Sequence, residues 1–120
     1  MIKILLLEKN VIFSKTLEYH LNKDKLFDVV AICKEGSEVV KFLNTNPVDV
    51  ILIDPNQSNG YVMTVQVKKE FPKIIIIGFS DDGEYSKNRM LEFGAASYLS
   101  KYDTSINELI AEIKRCYINL

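Results

Sequence analysis

The chain has no tryptophan, one histidine (His20), two cysteines, three prolines and five glycines in 120 residues. A lone histidine and two distant cysteines, Cys33 and Cys116, exclude a structural zinc site. A secreted disulfide scaffold of this size carries four or more cysteines, so reduced thiols packed as small hydrophobes are expected. So little glycine and proline excludes collagen-like repeats and low-complexity linkers. Arginine is scarce too: of fifteen basic residues only Arg89 and Arg115 are arginines, which leaves few bidentate contacts to phosphate or guanine. Sixteen acidic residues bring the net charge to −1, so no general attraction to nucleic acid is expected. No basic leader precedes the apolar run Ile4–Leu7, which is far too short for a signal core or a membrane span. The expectation is a cytoplasmic protein with no membrane contact.

What the chain does have is 48% hydrophobic and 26% charged residues, enough to bury the core of one domain over residues 1–120. Apolar, β-branched runs at Ile2–Leu7, Phe27–Cys33, Val48–Ile53, Ile74–Phe79 and Ser97–Leu99 predict five strands. The unbroken Ile74-Ile75-Ile76-Ile77 predicts a central strand covered on both faces. Helical spacing fills the gaps. Phe13, Leu17 and Leu21 form one stripe, and Val39, Val40 and Leu43 another in a helix opening near Gly36-Ser37. A third helix is expected from about Tyr61 to Phe71, ended by Pro72, and a fourth from Glu84 to Phe93, stopped by Gly94. The last carries Ile106, Leu109, Ile110, Ile113 and Tyr117 behind a cap at Thr104 or Ser105. Strand–helix repeated five times predicts a doubly wound α/β fold around a five-stranded parallel sheet.

In such a sheet, ligands bind beyond the carboxyl ends of the strands. Five places qualify: Glu8-Lys9-Asn10, Lys34-Glu35-Gly36, Asp54 with Pro55 to Gly60, Ser80-Asp81-Asp82, and Ser100-Lys101. They offer two carboxylates, a hydroxyl and an ammonium from four different strands. Four stretches, Lys3–Asn10, Asp49–Asp54, Ile76–Asp82 and Gly94–Lys101, together resemble the receiver domains of bacterial response regulators. The likeness is to those that precede a helix-turn-helix of the nitrate-regulator class.

The resemblance implies a flavodoxin-like fold with strand order 2-1-3-4-5, and a non-enzymatic signalling role. Asp54 falls on the phosphoryl acceptor, Lys101 on the lysine that pairs with the phosphoryl oxygens, and Ser80 on the switch hydroxyl. Tyr98 falls on the aromatic that follows the switch. Glu8, Asp54 and the backbone carbonyl of Asn56 fall on ligands of Mg²⁺, which would neutralise incoming phosphoryl charge. The implied partners are a histidine kinase or other signalling protein, and a second copy through residues 84–120.

Lys9 breaks the pattern, standing where the family places its second ligating acid. At ~5 Å and an effective dielectric of about 20, its repulsion from a divalent cation is roughly 6–7 kcal/mol before rearrangement. Either the side chain swings outward, or it stays and pairs with Asp54 in place of the metal. Mg²⁺ binding, and with it aspartyl phosphorylation, is expected to be weak or absent. Three smaller departures accompany it. The segment from Asp54 to Gly60 is about two residues short, and Pro55 follows the acceptor directly. The span from Ser80 to Gly94 is one residue short, so Gly78 and Phe79 remain alternative occupants of the switch position. Plainer readings stand beside these: Asp54-Pro55 as a strand-ending turn, Ser80-Asp81-Asp82 as a helix cap, Tyr98 as core packing. A flavin or nucleotide enzyme on the same fold would need a glycine- or hydroxyl-rich loop after the first strand, which Glu8-Lys9-Asn10-Val11 does not supply.

Overall fold

The computed structural model describes residues 1–81 and 83–119. Strands β1 (Ile2–Leu7), β2 (Phe27–Cys33), β3 (Val50–Ile53), β4 (Ile75–Ser80) and β5 (Ser97–Ser100) alternate with helices α1 (Val11–Asn22), α2 (Gly36–Leu43), α3 (Gly60–Glu70), α4 (Glu84–Glu92) and α5 (Ile106–Ile118). All pairings are parallel and the sheet order is β2-β1-β3-β4-β5. The expected doubly wound, flavodoxin-like fold is therefore the one that forms.

Side-chain alternation along the strands divides the interior in two. Ile4, Leu6, Val50, Leu52, Ile75 and Ile77 face Leu17 and Leu21 of α1 and Leu109 and Ile113 of α5. Leu5, Leu7, Ile51, Ile53 and Ile76 face Val39 of α2, Met63 and Val67 of α3, and Met90 of α4. Every residue of β3 and β4 is buried, as two covered faces require, whereas the edge strands β2 and β5 are only partly buried. Cys33 and Cys116 are buried free thiols, one in each half of the core, and burial pushes the Cys33 thiol up to about 11.

Element ends moved by a residue or two. β3 begins at Val50, not Val48: the Asp49 main chain still bonds to Lys3 and Ile75, but the Lys3 N–H donates to the Asp49 carboxylate at 2.8 Å in place of a carbonyl further back. β4 runs from Ile75 to Ser80, and β5 continues to Ser100. Helix α2 is capped by Glu35, with the Glu38 carboxylate accepting from the Lys34 and Glu35 N–H groups. Ser105, not Thr104, caps α5, its hydroxyl accepting from the Glu108 N–H at 3.1 Å. Gly94 ends α4 at a φ of 112°, a conformation a side chain would strain. Among the described residues no helix is long and apolar enough to cross a membrane.

Candidate functional site

Glu8 directly follows β1, Asp54 directly follows β3 and Lys101 directly follows β5, so three elements deliver three charges to one end of the sheet. The Lys101 ammonium donates to Asp54 Oδ2 at 2.7 Å and to Glu8 Oε1 at 2.5 Å. Both carboxylate side chains are 5% exposed and Lys101 is 13% exposed, so the cluster sits out of bulk water. Each carboxylate spends its second oxygen on its own loop. Asp54 Oδ1 accepts from the Asn56 N–H at 3.0 Å, and Glu8 Oε2 accepts from the Asn10 N–H at 2.9 Å. Beneath them lie Leu6, Phe13, Leu17, Leu52 and Phe79. The Phe13 ring centroid is 4.5 Å from Lys101 Nζ, a cation–π contact on an ammonium that already serves two acids.

One ammonium shared by two carboxylates leaves a buried excess of one negative charge. Burial is the main reason Asp54 is held above its ordinary range, with the Glu8 charge adding to it; the hydrogen bonds from Lys101 and Asn56 offset this only in part. For Lys101, burial pulls downward, but hydrogen bonding to Asp54 and Glu8 outweighs it and the net direction is upward. The arrangement favours a charged lysine and leaves Asp54 the softer partner.

A second polar chain runs beside the first. Asn56 Nδ2 donates to Ser80 Oγ at 3.0 Å, and Ser80 Oγ lies 3.0 Å from the Tyr98 hydroxyl. Ser80 is fully buried at the end of β4, and Phe79 points to the opposite face, 5.9 Å from the Phe13 ring. Of the three residues left open for the switch position, Ser80 is the one that reaches the Asp54 loop. Gly78 has a different task. It pairs in register with Tyr98, and a Cβ there would lie 2.6 Å from the tyrosine Cδ2, so its bare backbone forms the slot for the ring. Ser80 is thus a strand residue, not part of a cap: α4 is preceded by Gly83 with no side-chain cap, and Asp82 lies outside the described residues.

Lys9 does not enter the pocket. Its side chain is 58% exposed and its ammonium lies 3.6 Å from Glu35 Oε1, while its N–H donates to Gln57 Oε1 at 2.7 Å. The outward placement is the one that forms, and the alternative pairing with Asp54 is corrected. The carboxylates already share a lysine, and a second ammonium there would lose its water to do the same work. Sequence reading also missed Phe13 as a wall of the pocket and Gln57 as a tie between the β1–α1 and β3–α3 loops. Asn56 was assigned only a carbonyl, yet its side chain holds Ser80. The signal for Phe13 was its place in the buried stripe; nothing in the sequence marked Gln57.

The sequence matches the response regulator receiver domain family over residues 4–114. The chain belongs to that family. It is 28% identical over 117 residues to the transcriptional regulatory protein DegU of Brevibacillus brevis, covering 94% of this chain and 49% of that protein. It is also 28% identical to a protein-glutamate methylesterase/protein-glutamine glutaminase of Carboxydothermus hydrogenoformans, covering 93% of this chain and 33% of that protein. The chain thus spans between a third and a half of these relatives. Among solved structures, the receiver domain of the putative response regulator NarL from Mycobacterium tuberculosis superposes with a TM-score of 0.89 at 18% identity, covering 99% of this chain and 98% of that one. An orphan response regulator of H. pylori gives 0.83 at 23% identity, covering 97% and 96%. Receiver domains are signalling modules that act with histidine kinases and other signalling proteins, and are generally non-enzymatic, although the methylesterase relative is an enzyme.

Receiver domains usually bind Mg²⁺ for phosphorylation. The donors in this receiver are oxygens of the right kind, from Glu8, Asp54 and the Asn56 carbonyl. Two carboxylates are within what Mg²⁺ takes, but the charge around them is less negative than with an acid at position 9, because an ammonium stands there and Lys101 bridges the two acids. Among the described residues no group of three acidic, histidine or cysteine side chains converges on one point.

Proposed function

We propose that this chain is the signal-receiver module of a two-component response regulator whose Mg²⁺-dependent phosphorylation of Asp54 is weakened, and that it passes its state on through protein–protein contacts. The observation that carries the reading is the Lys101 bridge to Glu8 and Asp54, combined with Lys9 in place of an acid. A pocket whose fixed cation is already hydrogen-bonded to both acids has little left to offer a metal. The partners of this reading are a histidine kinase or other signalling protein and a second copy docking through residues 84–120, where Tyr85 and Leu91 are exposed. The location is cytoplasmic, with no direct nucleic-acid contact by this module.

A second reading has its own support. Lys101 pairs with Asp54, Asn56 links Asp54 to the Ser80–Tyr98 pair, and DegU is a transcriptional regulatory protein, all of which favour a conventional phosphoacceptor. On that reading a histidine kinase phosphorylates Asp54, Mg²⁺ assists, and a DNA-binding output domain is controlled. Calorimetric titration of Mg²⁺ into the native chain and into Lys9→Asp separates the two. The weakened-site reading expects little or no heat from the native chain and measurable binding in the mutant. Equal affinities overturn it in favour of the conventional receiver.

A further inference from the structure

The replacement at position 9 removes one negative charge and adds one positive charge. That change of two units equals the charge of a divalent ion. With the Lys9 ammonium turned in from Glu35, Glu8 and Asp54 would balance Lys101 and Lys9, and the pocket would sum to zero without metal. A site with an acid at position 9 reaches zero only when the divalent ion is bound. With Lys9 turned in, both would present a phosphoryl group with the same total charge.

Lys9 is placed to act on this. Its backbone is tied to Gln57, three residues beyond Asp54, and the Gln57 N–H in turn donates to the Asp54 carbonyl at 3.2 Å. Among the described residues its ammonium is held only by a 3.6 Å contact with Glu35, with both side chains more than half exposed. Such a pair is weak and screened by solvent. A dianion arriving at Asp54 attracts an ammonium more strongly than one exposed carboxylate does. Lys101 cannot neutralise that charge alone, since it already serves Glu8.

We infer that Lys9 is the second cation of a metal-independent phosphoryl site, leaving Glu35 to join Lys101 around a phosphoryl group on Asp54. This rests on the weakened-metal reading above and assigns what replaces the metal. With a small acyl phosphate the step balances without a proton or a co-reactant. An Asp54 carboxylate oxygen forms a bond to phosphorus, the bond from phosphorus to the acyl oxygen breaks, and the carboxylate of the donor leaves with the electron pair. Glu35 precedes α2, so the departure of Lys9 is felt at the start of that helix.

Acetyl phosphate supplied in EDTA or in millimolar Mg²⁺, with intact-mass detection and Asp54→Asn as the site control, tests this. The native chain is expected to be modified on Asp54 in EDTA, at a rate Mg²⁺ hardly changes. Lys9→Gln should lose roughly tenfold or more of that rate, and Lys9→Arg should keep most of it. Lys9→Asp should be slow in EDTA and recover with Mg²⁺. Amide shifts of Glu35 and Gly36 should move on modification of the native chain and stay in place in Lys9→Gln. Lys9 is exposed, so these variants retain the fold. No modification of the native chain in EDTA overturns the inference. If Mg²⁺ then restores the reaction, the weakened-metal reading falls with it; if Mg²⁺ does not, that reading stands alone. A Lys9→Gln rate equal to native also overturns it.

Discussion

Lys101 is the residue on which the pocket turns. Its ammonium is the counter-charge to two carboxylates that are both nearly inaccessible to water. Lys101→Met should therefore destabilise the fold by about 3 kcal/mol at neutral pH, since it leaves uncompensated buried charge. The loss should shrink in mildly acid solution, where Asp54 takes up a proton; urea titrations at the two pH values check this. The native chain carries a milder form of the same dependence. Asp54 is raised above its ordinary 3.8, so the folded state binds the extra proton between that value and its folded one, and stability falls as pH rises through the window. Lys101 is raised above 10.5, so its contribution is complete below that value and is lost as pH climbs past its folded one. Glu8→Gln removes the competing acid, and the Asp54 carboxyl resonance should then titrate at lower pH than in the native chain. Asp54, Lys101 and Glu8 were legible because each is a charge standing directly after an apolar run. The direction of Lys9 was not, because it depends on which of two distant carboxylates, Glu35 or Asp54, already has a partner.

Elements meet the site through backbone approaches that tolerate no side chain. At Gly60 a Cβ would lie 2.5 Å from Pro55 Cα and 2.6 Å from the Asp54 carbonyl oxygen, both backbone atoms. Gly60→Ala should cost about 2–3 kcal/mol and displace the β3–α3 loop, whereas Gly83→Ala, with nothing within 4 Å of its Cβ, should be close to neutral in the same denaturation assay. At Gly78 the obstacle is the Tyr98 ring, so Gly78→Ala should push the tyrosine from its slot and break the Ser80–Tyr98 contact. The Tyr98 ring resonances should then resemble those of Ser80→Ala; unchanged ring shifts would contradict the slot. The short β3–α3 segment noticed in the sequence has a physical counterpart here, since Ser58 and Asn59 both take left-handed backbone conformations to make the turn. Strand limits were less legible. Val48 is apolar and reads as strand, but the Lys3 N–H that would have extended the pairing past Asp49 goes to the Asp49 carboxylate instead.

For the whole molecule, alternation settled the architecture: apolar runs of strand length between helical stripes leave one economical way to cover both sheet faces. The same parity sorts the site. Glu8 and Asp54 lie over the α1 side of the sheet, floored by Leu17 and Phe13, while Tyr98 packs with the α2–α4 side. The acidic pocket and the Ser80–Tyr98 chain are thus carried on the two faces of one sheet and joined through the Asp54 loop by Asn56. Such a layout links Asp54 to β5 through hydrogen bonds. It also explains why the fold was readable from composition and spacing while the role of the pocket was not: core parity follows from periodicity, but ownership of a buried charge follows from three-dimensional competition among neighbours.

The most direct measurement is the nitrogen resonance of the Lys101 ammonium, followed by NMR as Mg²⁺ is added to the native chain. A lysine bound to both Glu8 and Asp54 should give a slowly exchanging signal that disappears in Asp54→Asn and stays where it is through millimolar Mg²⁺. A signal that shifts and saturates with added Mg²⁺ would mean that a metal displaces the lysine from the acids, and would contradict a pocket held by lysine.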